Sequence, residues 1–75
     1  MDYAQRLVIN AEVRFGKPCV KGTRISVGDV LGFLASGMST SEVVAEYPSL
    51  TPDDVLACLG YAADREARTV TLPAA

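Results

Sequence analysis

The sequence contains no histidine and no tryptophan, and its only cysteines are Cys19 and Cys58. Histidine is the side chain that general acid–base catalysis recruits most often. Two distant cysteines cannot supply the roughly four ligands of a structural zinc site. No residue pattern sets a nucleophile beside a base. We therefore expect a protein that is not an enzyme and that has no cofactor, no bound metal and no small-molecule substrate.

Long apolar runs and targeting signals are also missing. No apolar stretch approaches the ~20 residues that span a bilayer, so we expect no membrane association. With no signal peptide in view, we interpret the two cysteines as free thiols of a reducing cytoplasm, and their spacing leaves a disulfide open. The 75 residues form one domain with a small core, and 49% of them are hydrophobic. Because small scaffolds without staples often oligomerise, we expect a homodimer.

Charge is distributed unevenly, although the net charge is only −2. Residues 1–26 carry five basic and two acidic side chains, whereas residues 27–63 carry five acidic side chains and no basic one. The basic residues of the first segment are Arg6, Arg14, Lys17, Lys21 and Arg24. We interpret them as a contact surface for a partner protein or for DNA phosphates. Two alternatives remain open: a solvated loop face, or pairing with the acidic body of a second subunit.

The pattern of apolar residues divides the chain into a basic β arm (1–26), a helical domain (27–68) and a tail (69–75). Two short β-prone runs, "RLVIN" (6–10) and "TRISV" (23–27), predict a hairpin or an extended arm. Phe15, between them, is either an anchor for a partner or a ring buried under the hairpin. The bends of the arm are expected at three residues: Gly16, Pro18 and Gly22.

Three signals for the start of a helix follow, each a Ser or Thr with an acidic residue three positions later. They are Ser26 with Asp29, Ser39 with Glu42, and Thr51 with Asp54. The predicted buried stripe of the third helix is Val55, Leu56, Leu59, Ala62 and Ala63. Gly60 within it suggests close approach to another helix. The predicted fold is mainly α, a three-helix bundle in which the second and third helices form a helix-turn-helix, with a short N-terminal β arm.

A helix-turn-helix usually inserts the start of its second helix into the major groove of DNA. Here that start reads "TPDDV" (51–55), and its two carboxylates have the wrong sign for phosphates. We interpret Asp53 and Asp54 as residues that offset the helix dipole. The glycine and lysine spacing of residues 16–23 also fails the phosphate-binding pattern of nucleotide hydrolases. The shape therefore fits a DNA reader, and the chemistry of its reading face does not.

The stretch "GKPCVKGTRISV" (16–27), followed by "YPSLTPDDVLACLGYA" (47–62), resembles the short bacterial proteins of the domain of unknown function 433 family. Ser26 stands where members often have proline. The matching positions are Gly16, Lys17, Pro18, Gly22, Thr23, Arg24, Tyr47, Pro48, Leu50 and Thr51. The resemblance implies a homeodomain-like helix-turn-helix fold and the role of an antitoxin that partners a small PIN-like ribonuclease toxin. It supplies no roles for individual residues.

These observations lead to one leading hypothesis and two alternatives. The leading one is an antitoxin-like protein that inhibits a PIN-like nuclease, with the basic arm in the acidic RNA groove of that partner and with operator DNA as a second ligand. The first alternative is a protein-interaction module that uses the helix-turn-helix only as a scaffold and binds no DNA. The second is a DNA-binding regulator without a toxin partner.

Overall fold

The structure, a computed structural model, describes residues 3–69. Its main elements are the strands β1 (Leu7–Val8) and β2 (Cys19–Val20) and the helices α1 (Val27–Ala35), α2 (Thr40–Glu46) and α3 (Pro52–Thr69). The predicted fold class, mainly α with a short N-terminal hairpin, is confirmed. Within residues 3–69, no helix is both long and apolar enough to cross a membrane. Residues 70–75 of the predicted tail lie outside the described part of the chain.

The second strand is not where the sequence predicted it. β1 pairs antiparallel with β2, which places Leu7 opposite Val20. The predicted strand at residues 23–27 was wrong, since that stretch contributes only an isolated bridge between Ser26 and Cys19. The reason is that Ser26 already caps a helix, so the chain leaves the extended conformation before a ladder can form.

All three predicted helix starts are confirmed. In α1 the backbone N–H of Asp29 donates to Oγ of Ser26 at 2.9 Å, and the N–H of Ser26 donates back to the Asp29 carboxylate at 3.0 Å. The same reciprocal bonds join Ser39 with Glu42 and Thr51 with Asp54. Each box satisfies backbone donors that the first turn of a helix leaves without a partner.

The core lies where the three helices and β2 meet. Its buried members are Val20, Val27, Val30, Val43, Leu50, Val55 and Cys58. The predicted stripe of α3 was partly wrong: Val55 is buried, whereas Leu56 is 51% and Leu59 is 42% exposed. Both faces of this part of α3 are apolar, so the helical period alone does not decide which face is buried. Small Ala57, which is fully buried, lets α3 lie close to the core.

The helix that Gly60 accommodates is the short N-terminal 3₁₀ helix Tyr3–Gln5 and not one of the other two α-helices. A Cβ atom at Gly60 would lie 3.4 Å from Cδ2 of Tyr3. Tyr3 packs edge-on against Tyr61, with ring centroids 5.6 Å apart. Its hydroxyl donates to Oδ2 of Asp64 at 2.6 Å, and this bond raises the pKa of Tyr3. Tyr3 is therefore packed against α3.

Candidate partner-binding surface

Arg6 joins the N-terminal arm to the first turn of α3. Its Nη1 donates to Oδ1 of Asp54 at 3.1 Å, and its Nη2 lies 3.5 Å from Oδ2 of Asp53. Asp54 is only 8% exposed and also accepts the backbone N–H of Thr51. Arg6, predicted as a contact for a partner or for DNA, is thus engaged inside its own chain, where a cation balances two carboxylates at a helix start.

Arg14 makes a second connection, to the first turn of α1. Its Nη1 donates to Oδ2 of Asp29 at 2.7 Å and to the carbonyl oxygen of Arg24 at 2.9 Å. The hydrogen bond from Arg14 is the main cause that lowers the pKa of Asp29 below its ordinary value, and the N–H of Ser26 acts in the same direction against the opposing effect of burial. Arg14 therefore holds two segments of the arm against α1.

This connection supports an unusual turn at residues 14–16. The backbone φ angles of Arg14, Phe15 and Gly16 are all positive, at 53°, 59° and 80°. For residues other than glycine this left-handed conformation costs roughly 1–2 kcal/mol each, and such backbone persists only where its surroundings hold it. The turn leaves the side chain of Phe15 98% exposed, so the alternative of a ring buried under the hairpin was wrong.

Lys21 and Arg24 lie together in the turn that follows β2. The N–H of Val20 donates to the carbonyl of Ile25 at 2.9 Å and closes this turn. Both basic side chains belong to exposed residues, and neither forms an ion pair with any residue between 3 and 69. We call this pair the basic tip.

Lys17 lies apart from the basic tip. It stands at the edge of a groove of about 600 Å³ between the arm, α1 and α3, which is called the groove below. Its lining residues are Lys17, Pro18, Ser26, Val27, Gly28, Asp29, Leu31, Tyr61, Ala62, Arg65 and Glu66. The structure therefore divides the five predicted contact residues into two internal braces, one tip and one residue at the groove.

The residues that carry the family resemblance in the arm have structural positions. Gly16 and Gly22, with φ angles of 80° and 81°, bend the chain as predicted. The carbonyl of Pro18 accepts the N–H of Val27 at 2.9 Å. Oγ1 of Thr23 donates to the carbonyl of Val20 at 2.9 Å and fixes the turn of the basic tip. These residues determine the backbone conformation of the arm, whereas the positive charge of its surface comes from their neighbours Lys17, Lys21 and Arg24.

The second group of matching residues connects α2 to α3. The ring of Tyr47 stacks on Phe33, with centroids 4.6 Å apart and an angle of 10° between the planes. Pro48 follows α2, Leu50 is 2% exposed in the core, and Thr51 caps α3. This group therefore sets the angle and spacing of the helix-turn-helix.

The outer face of α3 has the wrong composition for reading DNA. Its first turn presents Asp53, whose side chain is 61% exposed, and the next outward residues are Leu56 and Leu59. The first basic residue of α3 is Arg65, near the other end of the helix. A recognition helix normally offers Arg, Lys or amide side chains in its first turns.

Sequence reasoning missed the partners of the two bracing arginines and the α3 side of the groove. Asp29 is 15 residues from Arg14, and Asp54 is 48 residues from Arg6. No local pattern signals contacts at such separations. Glu66, on the groove, was not predicted as a site residue. Across residues 3–69, no three acidic, cysteine or histidine side chains come together in a way that could hold a metal ion.

The geometry defines a class: a small helix-turn-helix scaffold to which a basic β arm is braced by two arginines. A family model described as a protein of unknown function (DUF433) matches residues 7–62, and the chain belongs to this family. A crystal structure of a DUF433 member protein from Anabaena variabilis ATCC 29413 has 27% sequence identity and a TM-score of 0.78. The match covers 89% of this chain and 70% of the other.

A second solved structure is Rv2018 from Mycobacterium tuberculosis, with 31% identity and a TM-score of 0.66. The match covers 76% of this chain but only 27% of Rv2018, so most of that protein has no counterpart here. A comparison with curated protein sequences finds no match. Both structural neighbours agree with the fold described above.

Proposed function

We propose that the protein is an antitoxin-type binding module without catalytic activity, whose ligand is a PIN-like ribonuclease. The observation that carries the proposal is the basic tip. Lys21 and Arg24 have no ion-pair partner within residues 3–69, whereas Arg6 and Arg14 are paired with acidic residues. Two cations on one closed turn can contact a compact cluster of carboxylates in a protein groove. They are too few and too close together to follow the phosphates along a DNA site. The family resemblance supplies the identity of the partner.

The basic tip is matched to the chemistry of such a partner. A PIN-like nuclease holds metal-binding carboxylates in a groove that accepts RNA. The guanidinium of Arg24 can bond two carboxylate oxygens at once, and the Lys21 ammonium adds a second positive charge. The side-chain hydrogen bond of Thr23 fixes the turn before binding. A preformed turn loses little conformational entropy on association, so more of the interaction energy appears as affinity.

The two bracing arginines support the tip without touching the partner. Arg14 contacts the carbonyl oxygen of Arg24, and Arg6 accepts the N–H of Lys21 through its own carbonyl at 2.8 Å. Each brace therefore connects the basic tip to the helical body. The proposal assigns the protein to the cytoplasm, where its two buried free thiols stay reduced.

Inhibition of RNA cleavage tests the proposal. A purified PIN-like ribonuclease is assayed on an RNA substrate with increasing amounts of wild-type protein. Arg24→Glu is expected to weaken inhibition at least about tenfold, because it replaces a charge-assisted bond with repulsion. Arg68→Glu, the same change near the end of α3, is the control and should inhibit like wild type. Equal inhibition by Arg24→Glu and wild type would reject the tip as the contact.

A protein-interaction module without DNA affinity is the second candidate. The exposed leucines of α3, Leu56 and Leu59, favour it, because they give the helix-turn-helix an apolar outer face. Neither candidate requires operator binding, given the exposed carboxylate of Asp53 at the start of α3. Inhibition of the nuclease distinguishes the two, because only the first candidate requires it. A protein that leaves the nuclease uninhibited, yet binds another protein through Leu56 and Leu59, favours the module.

A further inference from the structure

Phe15 is an exposed aromatic residue in the chain segment next to the groove. It is 98% exposed, although phenylalanine is among the residue types that are most often buried. The preceding residue, Arg14, is bonded to Asp29, and Asp29 is one of the residues that line the groove. Lys17, two residues after Phe15, also lines it. Phe15 therefore belongs to a chain segment that borders the groove, and it is not one of the residues that line it.

The groove has the size and lining to accept an aromatic ring. Its volume is about 600 Å³, and Pro18, Leu31, Tyr61 and Ala62 contribute apolar lining. For scale, an engineered apolar cavity of about 150 Å³ binds benzene. Gly28 lines the groove from α1 and contributes no side chain to it. An aromatic group that enters such a site is the usual anchor of a protein interface.

The charges around the groove are complementary to each other. Lys17 and Glu66 line the same groove, and neither forms an ion pair with another residue in the range 3–69. Arg65 is placed differently, with its Cζ 5.8 Å from the centroid of the Tyr61 ring. This surface therefore carries an exposed ring, a groove that could hold one, and one unpaired charge of each sign. Such a surface is complementary to a second copy of itself.

We propose that the groove is the interface of a symmetric homodimer, in which Phe15 of each protomer enters the groove of the other. In such a dimer a twofold axis relates the two insertions, so the same two surfaces are used by both protomers. The same axis brings Lys17 opposite Glu66 of the partner subunit. Lys21 and Arg24 do not line the groove, so the basic tip stays available. The inference does not depend on the proposed function, since the oligomeric state is measured without a nuclease.

Two glycines of α1 provide a matched test of the groove. Gly28 lines it, whereas Gly32 lies one turn further along and does not. Neither has a positive φ angle, and an added Cβ makes only an ordinary contact at Gly28 and none within 4 Å at Gly32. Gly28→Leu is expected to fill the groove and to give a monomer of 7.9 kDa by light scattering. Gly32→Leu should remain a dimer like wild type.

Removal of the ring tests the other half of the interface. Phe15→Asn keeps the turn, because asparagine tolerates positive φ, and is expected to weaken dimerisation at least about 30-fold. Circular dichroism checks that each variant is folded, so that a failure of Gly28→Leu to fold leaves Phe15→Asn as the test. A monomeric wild type, or an unchanged dimer in Phe15→Asn, overturns the proposal, and the groove would then be a site for a different ligand.

Charge exchange tests the orientation of the two subunits. Lys17→Glu and Glu66→Lys each set like charges against one another across the proposed interface, and each should weaken the dimer. The double variant restores opposite charges and should dimerise close to wild type. Lys21→Glu is the control for Lys17→Glu and should leave the dimer unchanged. A double variant no better than the two single changes combined contradicts the proposed contact.

Discussion

Arg14 and Asp29 are 15 residues apart in the chain, yet Nη1 of Arg14 lies 2.7 Å from Oδ2 of Asp29. The same carboxylate accepts the N–H of Ser26 at 3.0 Å, so one acidic residue both caps α1 and holds the arm. This pairing explains how a turn with two non-glycine residues at positive φ is maintained. It also places Phe15 at a fixed position on the surface.

The pH dependence of stability should report this pair. Because the bond from Arg14 lowers the pKa of Asp29 below 3.8, the unfolded chain binds a proton there more readily than the folded one. The contribution is therefore present above pH 3.8 and is lost as pH falls through the lower folded pKa. We expect Arg14→Ala to be less stable than wild type at pH 7, with the two converging in acid. Urea denaturation at several pH values measures this, and Arg24→Ala, which removes no ion pair within residues 3–69, is the control.

The same substitution, leucine to alanine, should have different effects on stability at a buried position just before α3 and at an exposed position within α3. Leu50 is 2% exposed and Leu56 is 51% exposed. Leu50→Ala removes a buried side chain and leaves a cavity, so the free energy of unfolding should fall by about 2–5 kcal/mol. Leu56→Ala should change it by less than about 1 kcal/mol. Thermal or urea denaturation gives both values. Similar losses at the two positions would mean that the described burial of α3 is incorrect.

The start of α2 offers a second matched pair. Oγ of Ser39 accepts the N–H of Glu42 at 3.1 Å, whereas Ser41 lies within the helix and is exposed. Ser39→Ala should lower the free energy of unfolding by about 1 kcal/mol, because a backbone donor loses its cap. Ser41→Ala should be neutral or slightly stabilising, since alanine is the better helix former. Urea midpoints at constant slope provide the comparison.

The buried thiol of Cys58 should make the protein sensitive to alkali. Burial, with a smaller effect of Asp54, raises the pKa of Cys58 from 9.0 to about 11. The unfolded chain releases this proton first, so the associated stability is complete below pH 9 and disappears as pH rises through 11. The loss should approach about 3 kcal/mol. Cys58→Ala should lack this component, and a Cys19→Ala protein should resist alkylation of Cys58 until it unfolds.

Local signals in the sequence were sufficient for the helices. The box of Ser26 with Asp29, repeated at Ser39 and Thr51, requires only residues three positions apart, and all three were predicted correctly. The second strand was misplaced because β propensity at residues 23–27 competes with the turn at Gly22 and the cap at Ser26. Neither the turn nor the cap is taken into account when a strand is predicted only from the number of β-prone residues.

The charged surface was less accessible to sequence reasoning. Basic residues clustered before Val27 look alike in sequence, but Arg6 and Arg14 find carboxylates on α3 and α1, whereas Lys21 and Arg24 find none within residues 3–69. Only the fold decides which cations are used internally. The left-handed conformation of Phe15 was equally hidden, because nothing in its residue type favours positive φ.

The central claim is that this helix-turn-helix scaffold binds a protein through its basic tip and does not depend on DNA. Calorimetric titration of one wild-type preparation against a PIN-like ribonuclease and against upstream DNA measures it most directly. We predict binding to the nuclease that weakens at least about tenfold in Arg24→Glu, with no comparable heat from DNA. Salt-dependent DNA binding together with no binding to the nuclease would contradict the account.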